Sequence, residues 1–132
     1  MERKVITSDK APAAVGPYSQ AVAAAGFVFT AGQLGLDPAT GKLAGDGVKA
    51  QAERALDNLD ALLKAAGASF GTVVKATVFL KDLADFPIVN AAYKERFTGD
   101  FPARSTIQVA RLPMDALVEI EMVALTGGES SW

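Results

Sequence analysis

The chain contains neither cysteine nor histidine. Without them there can be no disulfide, no thiolate nucleophile and no zinc site of the usual Cys/His kind. Every Ser-His-Asp or Cys-His catalytic device is excluded as well. No clustered run of aspartate and glutamate suggests an all-carboxylate site, so neither a metal nor another cofactor is expected. No apolar run approaches the roughly 20 residues that cross a bilayer. The start, Met1-Glu2-Arg3-Lys4-Val5-Ile6-Thr7, lacks the apolar stretch of a signal peptide. The expected compartment is the cytoplasm, with no membrane partner. An excess of positive charge is also missing: 13 basic residues face 15 acidic ones and are scattered. A nucleic acid is therefore not an electrostatically favoured partner. Acid–base chemistry, if any, falls to Asp, Glu, Lys, Tyr or bound water.

What remains is an ordinary slightly acidic globular composition, half hydrophobic over 132 residues. No repeat or linker divides it, and one domain over residues 1–132 is expected. Tyr18 to Ala25 and Phe27 to Ala31 flank Gly26 and read as a hairpin. Asp37-Pro38-Ala39-Thr40-Gly41 is a turn cluster. From Val48 to Ala66 the apolar residues Ala52, Ala55, Leu56, Leu59, Leu62, Leu63 and Ala66 recur at helical steps, with Gly67 at the C-terminal stop. Val73 to Lys81 reads as a strand. Asp85-Phe86-Pro87 offers a cap and a first-turn proline for a second helix, which turns Val89, Ala92, Tyr93 and Phe97 inward and ends near Gly99. Ala103 to Ala110 and Leu117 to Leu125 are the last strands. The tail from Thr126 to Trp132 reads as frayed. The order β-β-α-β-α-β-β gives an α+β fold with both helices on one face of a mixed sheet. Val28, Thr30, Val78, Leu80, Ile120 and Met122 are then read as an open second face, suited to association.

Two residues stand out chemically. Arg104 opens a strand bracketed by Pro102 and Pro113, where an apolar residue would be ordinary. Its guanidinium is permanently charged and presents a fork that fits a carboxylate bidentately. Strand alternation groups it with Thr106, Gln108 and Ala110. The residues alone leave open whether it clamps a ligand or pairs structurally with Glu119 or Glu121. Glu119 and Glu121 share one face of the last strand, and two adjacent acids cannot both be buried without compensation. On residues alone a solvated strand position is the stronger reading of Glu119. A general base would need its pKa lifted by partial burial. Gly16-Pro17 can aim the ring of Tyr18, although an aromatic is as readily a core residue. Gly32 at a strand end permits close backbone approach or marks a bulge. Asn90 sits early in the second helix, where an exposed position is equally natural.

Several stretches together carry a resemblance. Phe101-Pro102-Ala103-Arg104-Ser105, Val109-Ala110-Arg111-Leu112-Pro113 and Glu119-Ile120-Glu121 resemble the C-terminal signature of the RidA/YjgF family of imine deaminases. Gly16-Pro17-Tyr18-Ser19-Gln20-Ala21, Thr30-Ala31-Gly32-Gln33, Leu56-Asp57-Asn58 and Val78-Phe79-Leu80-Lys81-Asp82-Leu83 extend the match over nearly the whole chain. The resemblance implies a chorismate-mutase-like fold and a homotrimer with active sites in clefts between subunits. It implies hydrolysis of enamine and imine intermediates, such as 2-iminopropanoate and 2-iminobutanoate, to 2-keto acids and ammonia. Arg104 would then bind the substrate carboxylate and Glu119 would orient or activate water. Tyr18, Ala31, Gly32, Asn90 and Thr106 would line the substrate site. Ala31 and Thr106 stand where many members carry Ser and Cys. The resemblance also admits other classes: a non-catalytic ligand-binding or chaperone-like trimer, or a ribonuclease acting as a translation inhibitor.

Overall fold

The structure is a computed structural model that describes residues 2–127. The expectation for Trp132 lies outside those residues. The strands are β1 (Arg3–Ile6), β2 (Ala21–Ala24), β3 (Phe27–Thr30), β4 (Gln33–Leu34), β5 (Val73–Leu80), β6 (Ala103–Gln108) and β7 (Val118–Leu125). The helices are α1 (Val48–Ala65) and α2 (Phe86–Lys94). One sheet runs β1-β2-β3-β7-β5-β6, with β4 also paired to β7. Only β5 and β6 run parallel, and α2 is the crossover between them.

The expected hairpin is present, shortened at both ends. Ala24 pairs with Phe27, leaving Ala25-Gly26 as a two-residue turn. Both turn residues have positive φ, 54° and 83°, as a type I′ turn requires. Ala25 is exposed and is the wrong residue for that region, since its Cβ crowds the backbone. Ala25→Asn should therefore stabilise the protein by about 0.5–1 kcal/mol, read as a higher urea midpoint at unchanged slope. A lower midpoint would mean that the alanine methyl makes a compensating contact.

The helix α1 forms where the apolar period places it. Ala52, Ala55, Leu56, Leu59, Leu62 and Leu63 are all buried. Gly67 closes it with paired bonds, Ala68 N–H to Leu63 O at 2.8 Å and Gly67 N–H to Lys64 O at 3.1 Å. The start of α2 differs from expectation. Asp85 makes no side-chain cap; Asp82 does, accepting from Ala84 N–H at 2.9 Å to open a short 3₁₀ turn that feeds the helix. The helix ends at Lys94 rather than near Gly99. Phe97 still packs against the core from the following turn.

Two strands escape the sequence pattern. β1 begins in charged residues and buries only Ile6, and β4 spans two residues. The choice of open face is corrected. Val28, Val78, Leu80, Ile120 and Met122 are buried beneath the helices with Leu56, Leu59 and Leu63. Burying each such side chain contributes about 1.5–3 kcal/mol, so the large aliphatics go under the helices. The opposite face carries Phe27, Phe29, Thr77, Phe79, Glu119, Glu121 and Val123, and Phe29 is 48% exposed.

Candidate active site

Glu119 sits on β7 opposite the break between β3 and β4. β3 pairs with β7 at Val123–Leu125 and β4 pairs at Glu119 and Ile120. Between them the hydroxyl of Thr30 accepts the Met122 N–H at 3.0 Å, standing in for a strand carbonyl. The interruption leaves Ala31 and Gly32 facing Glu119. A Cβ on Gly32 would lie 2.5 Å from Glu119 Oε2 and 2.8 Å from its Cδ. The glycine thus makes room for the carboxylate itself, a more specific role than the ligand approach or bulge that the sequence suggests. Gly32→Ala should displace the carboxylate and lower kcat by about tenfold or more, as misplacement of a reacting group does, with an unchanged far-UV spectrum. Full activity would show that the position of the carboxylate does not matter.

The carboxyl of Glu119 is half-buried. Burial raises its pKa above the ordinary 4.5, and the charge of Glu121 raises it further. Glu121 is exposed, so one acid is sheltered and its neighbour is wet. The shelter is a cavity of about 620 Å³. Tyr18, Ala31, Gly32, Pro113 and Met114 border it together with Glu119. Tyr18 is 52% exposed, so the core reading of its ring is excluded. The Gly16-Pro17 turn holds it through Tyr18 N–H to Gly16 O at 2.8 Å. Met114 and Asp115 both adopt left-handed backbone, φ 58° and 55°, an unfavourable conformation maintained at the cavity rim.

Buried amides hold the loops around this cavity. Gln20 accepts from Ser8 N–H at 2.9 Å and donates to Pro12 O at 2.8 Å. Gln51 donates to Gly45 O at 2.9 Å and accepts from Leu117 N–H at 2.8 Å. Asn58, fully buried, donates to Leu34 O at 3.1 Å and Leu36 O at 3.0 Å. These groups stay buried because each is satisfied. Their signal in the sequence was a polar residue on an apolar helix face, visible at Gln51 and Asn58.

Arg104 projects from the other face. Its partner across β5 is Ala76, which pairs with Met122 of the core. The guanidinium donates from Nη2 to Asn90 Oδ1 at 2.8 Å. Its carbon lies 4.7 Å from the ring centre of Tyr93 and 5.4 Å from that of Phe86. Thr106 lines the same crevice with Asn90 and Phe86. None of the ion pairs among the described residues uses Arg104; they engage Arg54, Lys64, Arg96 and Arg111. Within one chain, a structural pair with Glu119 or Glu121 is thereby excluded. A half-buried guanidinium whose contacts among the described residues are all neutral keeps its charge uncompensated.

Within one chain the candidate residues therefore form two groups. Tyr18, Ala31, Gly32 and Glu119 meet on the open face. Asn90, Arg104 and Thr106 meet under α2. The sequence reading missed Phe86 and Tyr93 as contacts of Arg104, although with Asn90 their spacing along α2 already put all three on one side of the helix.

The mixed sheet with two helices on one face is an α+β fold shared with solved structures, and it carries a carboxylate pocket on the open face and, on the other, an arginine outside every ion pair among the described residues. The chain belongs to the RidA/YjgF family, whose profile, described as Endoribonuclease L-PSP, matches residues 8–126. It is 57% identical over 125 residues to the RutC family protein UK114 of Drosophila melanogaster, covering 95% of this chain and 91% of that protein. It is 53% identical over 125 residues to the 2-iminobutanoate/2-iminopropanoate deaminase of Bos taurus, with the same coverage of 95% and 91%. A crystal structure of E. coli TdcF with bound serine is similar at a TM-score of 0.88 and 45% identity, covering 92% of this chain and 98% of that one. Among the described residues no helix is long and apolar enough to cross a membrane.

Proposed function

We propose that this chain is a 2-iminobutanoate/2-iminopropanoate deaminase, a hydrolase that converts reactive imines to 2-keto acids and ammonia. The observation that carries the residue assignment is Arg104, a half-buried cation whose partners among the described residues are all neutral. It binds the carboxylate of the imino acid. Glu119, kept basic by burial, takes a proton from water as the oxygen attacks the imine carbon. The same carboxyl returns the proton to the nitrogen. The C–N bond then breaks as Glu119 takes the hydroxyl proton, giving the keto acid and ammonia, which picks up that proton to leave as ammonium. A protonated imine is already electrophilic, so positioning and proton transfer suffice. Tyr18, Ala31 and Gly32 wall the side near Glu119, and Asn90 and Thr106 the side near Arg104. We place the reaction in the cytoplasm.

One substrate cannot reach both groups in a single chain, because they lie on opposite sheet faces. The cleft is therefore assembled from two copies in a homotrimer, with Glu119 from one and Arg104 from the next. The open face, with Phe29 half exposed beside Phe27, supports such burial. Sedimentation equilibrium at micromolar concentration should give three chains of 13.7 kDa each. Mixing Arg104→Lys with Glu119→Gln subunits under exchange conditions should recover activity that neither has alone, since some clefts then carry both native residues. A monomer, or mixtures as inactive as their parents, would sink the shared cleft.

The direct test of function is ammonia and keto-acid release from an imine generated in situ, measured against its spontaneous hydrolysis. No acceleration across several amino-acid-derived imines would defeat the assignment. The ribonuclease named in the family description gains nothing from this chain, which offers no histidine and no basic excess.

A further inference from the structure

Phe86, Asn90 and Tyr93 lie on one side of α2, and all three contact the Arg104 guanidinium. Tyr93 is 3% exposed, and its hydroxyl, although buried, has no hydrogen-bond partner among the described residues. An orphaned phenol is a penalty that phenylalanine would avoid, so the hydroxyl does not account for the ring's place. The ring itself is fixed from behind. Phe97 packs against it at 4.7 Å between centroids, and Phe70 and Phe101 flank Phe97 at 5.5 and 6.0 Å. A column of packed rings thus ends on the arginine.

We infer that Tyr93 is a positioning residue for Arg104, holding the plane of the guanidinium through its ring face rather than through its hydroxyl. The inference rests on the carboxylate-clamp reading of Arg104. A carboxylate partner would fix the same side chain equally well, but it would neutralise the cation and compete with the substrate. Aromatic faces attract a guanidinium by their quadrupole and leave its full charge available. Asn90 restrains one edge of the fork through a single neutral oxygen. Among the described residues nothing else hydrogen-bonds the fork, which leaves its other donors to a bidentate ligand.

The test compares Tyr93→Leu, which removes the π face, with Tyr93→Phe, which keeps it. Binding of 2-oxobutanoate is followed by calorimetry, and kcat/KM is measured on the imine. Tyr93→Leu should weaken 2-oxobutanoate binding and lower kcat/KM by about five- to tenfold, mainly through KM. Tyr93→Phe should rescue most of that loss and melt no lower than the native protein. In an Arg104→Lys background, where no plane remains to be held, Tyr93→Leu should lower kcat/KM by less than about twofold. Equal losses in both backgrounds would make the role merely structural and overturn the inference. So would a Tyr93→Phe variant as weak as Tyr93→Leu. If Tyr93→Leu does not fold, Tyr93→Met, which also removes the π face, is read instead, and unchanged keto-acid affinity there overturns the inference too. If Arg104→Lys itself binds 2-oxobutanoate normally, the clamp is wrong. If Arg104→Lys binds weakly while Tyr93→Leu binds normally, the clamp stands and the role of Tyr93 falls.

Discussion

Arg104→Lys should lower kcat/KM by about thirtyfold or more, a loss of about 2 kcal/mol in transition-state stabilisation. The charge is retained, so the loss measures geometry. The arginine spends one Nη2 hydrogen on Asn90 and offers the rest of its fork to the ligand. Lysine is a point charge on a flexible stem and cannot present two parallel donors. Its ammonium would also sit differently against Tyr93 and Phe86. Folding should be spared, because the native arginine takes part in no ion pair among the described residues that the change could break. Far-UV spectra and sedimentation of the variant should match the native protein. Steady-state kinetics on an imine generated in situ checks the claim, and wild-type turnover would remove Arg104 from the site.

Local patterns along the chain were legible, and distant parity was not. The leucines of α1 recur on one side only, so the helix and its buried face could be read directly. The bonds around Gly67 follow from a glycine placed just past a helical run. The short strand β4 could not be read, because two residues carry no period. The choice of open face failed for a related reason. Alternation says that Ile120 and Met122 oppose Glu119 and Glu121, but not which pair lies under the helices. Packing decides that, by placing the bulkiest aliphatics against Leu56, Leu59 and Leu63. The separation of Arg104 from Glu119 was equally hidden. It depends on two registers at once, Ala76 with Arg104 and Phe79 with Glu119, and neither is encoded near either residue. The family resemblance supplied the pair, and the sheet puts its two members on opposite faces of one chain. The ring contacts of Arg104 were missed because they join α2 to β6 across a gap in sequence.

Glu119→Gln should lower kcat by about 100-fold or more, because glutamine keeps the size and some hydrogen bonding but cannot accept the proton of the attacking water. Affinity for a keto acid should change little, since the proposed clamp for its carboxylate is Arg104. The same substitution should make the fold more stable at neutral pH. Burial raises the pKa of Glu119 in the folded state, so the folded protein keeps that proton to a higher pH than the unfolded chain does. Its contribution to stability is therefore present below the ordinary value of 4.5 and declines as pH rises through the folded pKa. Glutamine removes that decline. The variant's melting temperature should exceed the native one at pH 7, and the advantage should vanish in acid. Activity has the opposite requirement, a deprotonated carboxylate, so the acid limb of the native kcat/KM profile should lie above 4.5. Glu121→Gln separates the two acids. Glu121 is exposed and its charge helps to raise the pKa of Glu119, so its loss should leave kcat nearly unchanged and shift the acid limb to lower pH. If Glu119→Gln keeps full kcat while Glu121→Gln loses it, the roles are reversed. If both keep full rate, no carboxylate delivers the water, and the cleft works by holding an imine that hydrolyses readily once Arg104 has placed it.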